Sequence, residues 1–259
     1  MNFILLLFVS SVLSVFVPFF LMRNLTLRWH IPRKVFWRSG FFGLIVGILV
    51  AGVALNLDGV FPAVKNVSQL LYAAIIGVTS GLFVELGKFV VLDRFMPKVR
   101  HFQSAVVFGL GWGGLAVMLM GIFFSIGIFG MNALLNVGDV SSLMSNPEPG
   151  QVRMFQESKK QLEALVQAPW KGLSPLFENS AIILFDIAMT LIILLGFQKS
   201  KTAYTWLAVL IRSTMATGVL FVAQQKTFPM EILYMLWAAV ALGIIFTLKD
   251  RLKSGPVVK

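Results

Sequence analysis

The chain has no cysteine and only two histidines among its 259 residues. The lack of cysteine excludes disulfides, thiolate nucleophiles, iron–sulfur clusters and cysteine-ligated zinc in any compartment. Charged residues make up only 13% of the chain, about half the share found in soluble proteins. By contrast, 58% of the residues are hydrophobic and the mean hydropathy is +0.86. Because so much apolar surface cannot be hidden in a water-facing globule, we expect an integral membrane protein.

The sequence does contain long hydrophobic runs. One bilayer crossing needs about 20 apolar residues. The pattern predicts seven α-helical spans, at 2–21, 39–57, 70–92, 104–129, 176–197, 203–222 and 232–248. The first run has no basic start and no small-residue cleavage site, so we interpret it as a retained span and not as a signal peptide. We therefore predict an all-α fold in which residues 1–259 form one polytopic membrane domain.

Basic residues outnumber acidic ones by 22 to 11, and they are unevenly distributed among the connections. Fourteen lie in one alternating set of connections and six in the other, while Lys88 and Arg212 fall inside spans. Since basic connections are retained in the cytoplasm, we predict an outside N-terminus and a cytoplasmic C-terminus. The net charge of +11 then reflects topology and attraction to anionic lipid, not nucleic-acid binding. We expect a multi-pass protein of the cell membrane, of the prokaryotic plasma-membrane type.

One connection, from about Gly130 to Leu173, is long enough to hold structure of its own. Apolar residues recur there at helical spacing, with charged residues between them: Val152, Phe155, Leu162, Leu165 and Val166. We therefore predict an outer amphipathic helix at about 150–168. Such a helix either rests on the outer lipid surface or docks a partner.

Five ionisable residues fall inside the predicted spans: Glu85, Lys88, Glu178, Asp186 and Arg212. Charge inside a bilayer costs at least about 2.5–3.5 kcal/mol, so such residues normally face inward and pair. Asp186 and Arg212 lie near the middles of consecutive antiparallel spans, which predicts an ion pair between them. Glu85 and Lys88 are three residues apart and share one helix face. The cluster either only holds helices together or lines a functional site.

Small residues indicate where helices approach closely. Gly77 and Gly81 stand four apart in the third span, a spacing that lets another backbone come near. The fourth span begins with Gly109-Leu110-Gly111-Trp112-Gly113-Gly114. This run superficially resembles a dinucleotide fingerprint, but no strand precedes it and it lies in a hydrophobic span. We expect its glycines to pack the fourth helix against the third.

These same residues carry a family resemblance. The stretch from Leu71 to Lys88, followed by Phe108 to Gly114, resembles the YhfC family of glutamic-type intramembrane proteases, which is related to the CAAX-protease and PrsW group. Residues 177–186 and 206–212 resemble the family's next two signatures. The resemblance spans roughly residues 70 to 215. It implies a membrane-embedded hydrolase fold in which a carboxylate and a histidine together activate water.

The chain departs from the pattern that this resemblance implies. Val84 and Lys88 stand where the family has the first Glu and the Arg of Glu-Glu-x-x-Arg. Trp112 and Ala116 stand where it has the His and the final Glu of Gly-His-Gly-Gly-x-Glu. Tryptophan has no titratable group and cannot replace histidine as an acid or a base. A large residue four positions from a small one also indicates a former cavity that is now filled.

Two further histidine positions of the family are occupied by Asp186 and Arg212. The two replacements are complementary, because either one alone would leave an uncompensated charge in hydrocarbon. The only histidines, His30 and His101, lie in connections. We therefore expect no metal site, no cofactor and no catalytic residue.

The sequence thus favours a catalytically degenerate member of this family that acts as a binding or scaffold subunit. Its expected contacts are the lipid bilayer and a membrane-protein partner. The alternative is an active glutamic-type intramembrane protease with Glu85 as the water-activating base and Lys88 as its orienting group. A third hypothesis is a small-solute transporter, suggested by the deep charges although no two-fold repeat is evident.

Overall fold

The computed structural model describes residues 3–60, 68–136, 149–225 and 230–252. Within these ranges the chain is almost entirely helical and forms no strand. The described α-helices are α1 (Phe3–Arg28), α2 (Lys34–Val60), α3 (Gln69–Val90), α4 (Phe102–Asn136), α5 (Pro149–Val166), α6 (Ser174–Lys199), α7 (Ala203–Gln225) and α8 (Met230–Lys249). Seven helical segments within the described ranges are long and apolar enough to cross a membrane. The predictions of an all-α fold and of seven spans are confirmed.

Several helices extend beyond the predicted spans. The second helix begins at Lys34, five residues before the predicted start, and the fourth continues to Asn136. A π-helical turn at Val91–Phe95 prolongs α3, and a 3-10 turn at Pro169–Leu173 precedes α6. The reason is that hydropathy detects only the part of a helix that needs apolar side chains, whereas backbone hydrogen bonding continues into the interface.

The chain divides into two compact units. The first consists of Met1–Val17 and Met118–Phe177. Its buried apolar cluster contains Phe3, Leu7, Ile128 and Leu162, with Ile4, Met131 and Val166 packed against it. A helix, α5, occupies the segment for which an amphipathic helix is predicted, and its Leu162 and Val166 contact protein, not only lipid. The side chains of Phe155 and Leu165 lie outside the described part of the chain.

The second unit consists of Pro18–Val117 and Glu178–Lys259, and α6 is its central helix. Every residue from Phe185 to Gly196 is buried. A helix that is covered on all sides for three turns must lie among other helices. Any charged group on this stretch is therefore held away from lipid.

Helices α3 and α7 run against each other within the second unit, and two glycines permit the close approach. A Cβ atom on Gly77 would lie 2.6 Å from the backbone nitrogen of Thr217. A Cβ atom on Gly81 would lie 2.9 Å from the carbonyl oxygen of Val209. The predicted small-residue contact face therefore exists, and the helix that occupies it is α7.

The connection between α3 and α4 is fixed by Arg100. Its Nη1 atom donates to the carbonyl oxygens of Leu92 and Val99, both at 3.0 Å, and its guanidinium lies 4.3 Å from the ring centre of Phe197. The side chain of Gln198 donates back to the carbonyl of Arg100 at 2.9 Å. Burial lowers the pKa of Arg100, an effect that the nearby Asp93 carboxylate opposes. Through these contacts Arg100 holds the end of α3 next to the end of α6.

Candidate functional site

Four of the five deep charges meet inside the second unit. Glu85 and Lys88 come from α3, Asp186 from the buried stretch of α6 and Arg212 from the middle of α7. The side chains of Glu85 and Lys88 are fully buried, that of Asp186 is 3% exposed and that of Arg212 is 12% exposed. Four charged groups share one dry region, so each must be balanced by the others.

The four groups form a closed ring of alternating charge, which we call the charge ring. Lys88 Nζ lies 3.0 Å from Glu85 Oε1 and 2.7 Å from Asp186 Oδ1. Arg212 completes it, with Nε at 3.3 Å from Glu85 Oε1 and Nη2 at 2.7 Å from Asp186 Oδ1. Each of these two carboxylate oxygens therefore contacts both cations, and the ring carries no net charge.

The predicted ion pair between Asp186 and Arg212 is present. The sequence predicts a cluster of deep charges that contains this pair and Glu85–Lys88, but it does not predict the two cross contacts, from Lys88 to Asp186 and from Arg212 to Glu85. One signal for them was available, since Gly77 and Gly81 lie on the same helix as Glu85 and Lys88. A close approach of α7 at these glycines brings the two pairs together.

Glu178 does not belong to the charge ring. It lies two helical turns before Asp186 on α6, about 12 Å along the helix axis. Its Oε1 atom accepts a hydrogen bond of 3.0 Å from the hydroxyl of Tyr234 on α8. The fifth deep charge therefore links α6 to α8 and takes no part in the ring.

Trp112, which stands where the resemblance implies a histidine, is packed beside the ring. It is 4% exposed, its rings stack on Phe108 with centroids 5.7 Å apart, and its ring centre lies 5.9 Å from Lys88 Nζ. A cation at this distance from an indole face is attracted to it. Ala116, four residues further along α4, remains partly exposed.

The prediction that the α4 glycines pack against α3 is wrong. A Cβ atom on Gly109 would lie 2.6 Å from Cα of Ile187 on α6, and one on Gly113 would collide with the Asp186 carboxylate. Gly111 instead faces Phe36 and Ser39 on α2. Glycine content tells where a backbone can be approached but not by which helix. Gly113 matters for the charge ring, because a side chain at this position would collide with the Asp186 carboxylate.

The last glycine of the run, Gly114, packs less tightly. A Cβ atom there would lie 3.2 Å from Cβ of Pro18 on α1. The glycines of this run therefore contact α2, α6 and the part of α1 that belongs to the second unit, at Pro18.

The donor atoms around the ring do not match those that a metal ion needs. Among the described residues, no group of three or more His, Cys, Asp or Glu side chains is placed to hold a metal. The ring offers two carboxylates, and each of them already contacts two cations. One atom is left over, since Glu85 Oε2 is buried and has no hydrogen-bond partner among the described residues. Two carboxylates that alternate with an ammonium and a guanidinium do not form a binding site for a divalent ion.

Comparisons with known proteins place the chain in a family. No curated protein and no solved structure shows significant similarity to it. A family model described as YhfC intramembrane metalloprotease matches residues 13–238, which is most of the chain and includes every residue of the charge ring. The seven apolar spans and the extent of this match together show that the chain is a multi-pass membrane protein that belongs to the YhfC intramembrane metalloprotease family.

Proposed function

We propose that the chain is a catalytically inactive member of its family that acts as a binding or scaffold subunit for another membrane protein, in a cell membrane. The observation that carries the proposal is the closed charge ring. Glu85 Oε1 and Asp186 Oδ1 each contact both Lys88 and Arg212 at 2.7–3.3 Å. General-base hydrolysis needs a carboxylate or imidazole within hydrogen-bond reach of a water molecule. Each of these two oxygens instead contacts two cations.

The packing of Trp112 supports the same proposal. A hydrolase needs a pocket beside its base in which water and a scissile bond can meet. Trp112 is buried against Phe108 next to Lys88, at the position for which the resemblance implies a histidine. An indole fills space and can donate one hydrogen bond, but it has no titratable group with which to accept a proton from water.

The family's description implies metal-dependent hydrolysis, and the residues of this chain do not suit that chemistry. Catalytic zinc is usually held by three protein ligands that include histidine. His30 follows the end of α1 and His101 precedes the start of α4, whereas the ring is built from α3, α6 and α7. In the part of the chain that the structure describes, the carboxylates at the ring are those of Glu85 and Asp186. The side chains at the ring therefore do not fit metal-dependent hydrolysis.

One observation favours the alternative of an active hydrolase. Glu85 Oε2 is buried and has no hydrogen-bond partner among the described residues, so it is an acceptor at the ring that a water molecule could use. In that alternative Glu85 is the base and Lys88 orients it across the 3.0 Å contact. The alternative requires water to enter a region where Glu85 and Lys88 are fully buried.

A cleavage assay separates the two functions. The purified protein, reconstituted in liposomes with a panel of fluorogenic transmembrane peptides, is compared with a Glu85→Gln variant, which keeps the size of the side chain and removes its charge. We expect both proteins to give the same background rate. Cleavage by the native chain that is lost in Glu85→Gln would establish the active-protease alternative.

The binding role has its own measurement. The tagged chain is extracted in a mild detergent, and the proteins that co-purify are identified and then tagged themselves for the reciprocal purification. We expect one membrane protein to be recovered at a fixed ratio in both directions. An unrelated seven-span protein with the same tag is the control. Recovery of the chain alone, at the mass of a monomer, would contradict a scaffold role.

A further inference from the structure

We infer that Lys88 and Arg212 together take the place of a divalent cation between Glu85 and Asp186, so that the protein needs no metal and becomes a metal-binding protein when both cations are removed. The inference deepens the proposed function and rests on the same charge ring. It assigns the two basic side chains a role that their separate contacts do not reveal.

The first step is the geometry. One nitrogen, Lys88 Nζ, lies within 3.0 Å of an oxygen from each carboxylate, and the Arg212 guanidinium reaches the same two oxygens from α7. Metal–oxygen bonds to Mg²⁺ or Ca²⁺ are about 2.0–2.6 Å. The two carboxylates are therefore already gathered around the two cations, at distances about 0.1–1.3 Å longer than a metal would set.

The second step is the charge. Two carboxylates carry two negative charges, and the ammonium and guanidinium carry two positive charges, so the ring is neutral. A divalent ion added to the intact ring would leave two unbalanced positive charges in a region that is almost free of water, which is strongly unfavourable. A divalent ion that replaces both cations would leave the charge unchanged. The net charge therefore prevents a divalent ion from binding to the native ring. It allows one to bind after both cations are removed.

The third step is the set of ligands that would then be available. Glu85 Oε1 and Asp186 Oδ1 lose their partners when Lys88 and Arg212 are truncated. Glu85 Oε2 has no partner among the described residues even in the native chain. Oxygen ligands of this kind suit Mn²⁺, with water filling the space left by the two long side chains. A carboxylate pair without histidine also makes Mn²⁺ a better probe than Zn²⁺.

The test uses the full-length protein in detergent. The native chain and a Lys88→Ala/Arg212→Ala variant are incubated with MnCl₂ and desalted, and their metal content and thermal midpoint are measured with and without chelator. For the native chain we expect negligible metal and a midpoint that chelation does not change. For the variant we expect about one ion per chain and a midpoint about 5–10 °C higher at a hundredfold excess over Kd.

Two controls separate a built site from nonspecific binding. Adding Glu85→Gln to the double variant removes one carboxylate, and the bound Mn²⁺ should be lost. A Lys88→Met/Arg212→Met variant removes the same charges but fills the space, and it should bind several-fold less Mn²⁺. A double variant that folds and binds no Mn²⁺ overturns the inference. A native chain that retains about one metal ion per chain, lost in Glu85→Gln, overturns it as well.

If the double variant cannot be purified, the single variant Lys88→Ala tests the inference. Lys88→Ala lacks one positive charge, so ammonium or methylammonium should restore it. We expect the midpoint of this variant to rise with methylammonium chloride more than with sodium chloride of equal ionic strength, and an equal rise with both salts overturns the inference. Failure of the proposed function is distinguishable: a metal-free native chain that cleaves peptides would overturn inactivity and leave this inference intact.

Discussion

At the scale of single residues, Lys88 is a fully buried cation that links two helices. A fully buried lysine is rare unless it is paired. Lys88 is fully buried and contacts a carboxylate on its own helix and another on α6. The contact to Asp186 joins residues 98 positions apart in the chain. The lysine therefore contributes to the tertiary arrangement and not only to its own helix.

A charge exchange between Asp186 and Arg212 should not restore stability. Exchanging the members of an isolated ion pair conserves it, but an arginine at 186 would face Lys88, whose Nζ lies 2.7 Å from the native carboxylate. We expect Asp186→Ala to lower the free energy of unfolding by about 2–4 kcal/mol and Arg212→Ala by about 1–2 kcal/mol. The smaller cost reflects Lys88, which still bridges both carboxylates. The exchanged double variant should be at least as unstable as Asp186→Ala.

Thermal unfolding in detergent measures these differences, with Arg153→Ala as a control. Arg153 pairs with Glu157 on α5, but its side chain is 83% exposed. Removing the Arg153 side chain should change the thermal midpoint little, because exposed ion pairs contribute at most about 1 kcal/mol to stability. Substantial recovery of the midpoint in the exchanged variant would mean that Lys88 does not contact residue 186.

The membership of the charge ring was only partly predictable from the sequence. The high cost of charge in a bilayer identified all five deep residues, and the equal depth of Asp186 and Arg212 identified one pair. The exclusion of Glu178 was not predictable, because its partner is a tyrosine hydroxyl on α8, and a neutral partner leaves no charge pattern to detect. Which oxygen contacts which cation depends on helix rotation, which sequence spacing does not fix.

At the scale of helices, the approach of α4 to α6 determines how Asp186 is held. Gly109 and Gly113 are one turn apart on α4 and both face α6, at Ile187 and Asp186 respectively. A larger residue at either position would separate the helices. The separation would move Asp186 relative to Lys88, which lies on a third helix. The glycines of α4 therefore influence the charge ring although none of them carries a charge.

Gly109→Ala should be destabilising. The added Cβ would lie 2.6 Å from Cα of Ile187, and a backbone atom in a buried helix cannot move aside cheaply. Overpacking of this kind costs about 1–3 kcal/mol. Gly218→Ala on α7 is the matched control, because a Cβ there meets nothing within 4 Å, and alanine is the better helix former by about 1 kcal/mol. We expect a lower thermal midpoint for the first variant and an equal or higher one for the second. Equal midpoints for both would contradict a close approach of α4 to α6 at Gly109.

The helices themselves were more predictable than their neighbours. Each predicted span corresponds to an apolar helix, because a bilayer requires about 20 consecutive apolar residues and leaves few alternatives. Helix contacts lack such a constraint, since lipid-facing and protein-facing residues are both apolar. For this reason the third and fourth spans could be located from their hydropathy, whereas the assignment of the α4 glycines to α3 was wrong.

At the scale of the whole molecule, the family match covers residues 13–238 and therefore all three helices that contribute to the charge ring. Asp186 on α6 contacts both Lys88 on α3 and Arg212 on α7. Removing one charged group alone would leave a buried charge without its partner. The ring therefore couples α3, α6 and α7 to one another.

The orientation of the chain in the membrane remains a prediction, and the composition makes it easy to test. The chain has no cysteine, so an introduced cysteine is its only thiol. Gln156 on α5 and Asp250 after α8 are both exposed and lie on opposite predicted sides. With an outside N-terminus, a membrane-impermeant maleimide should label Gln156→Cys in intact cells and Asp250→Cys only after permeabilisation. The native chain, which cannot react, is the control for background. The reverse pattern would mean that the fourteen basic residues lie outside, against the distribution of charge that orients membrane proteins.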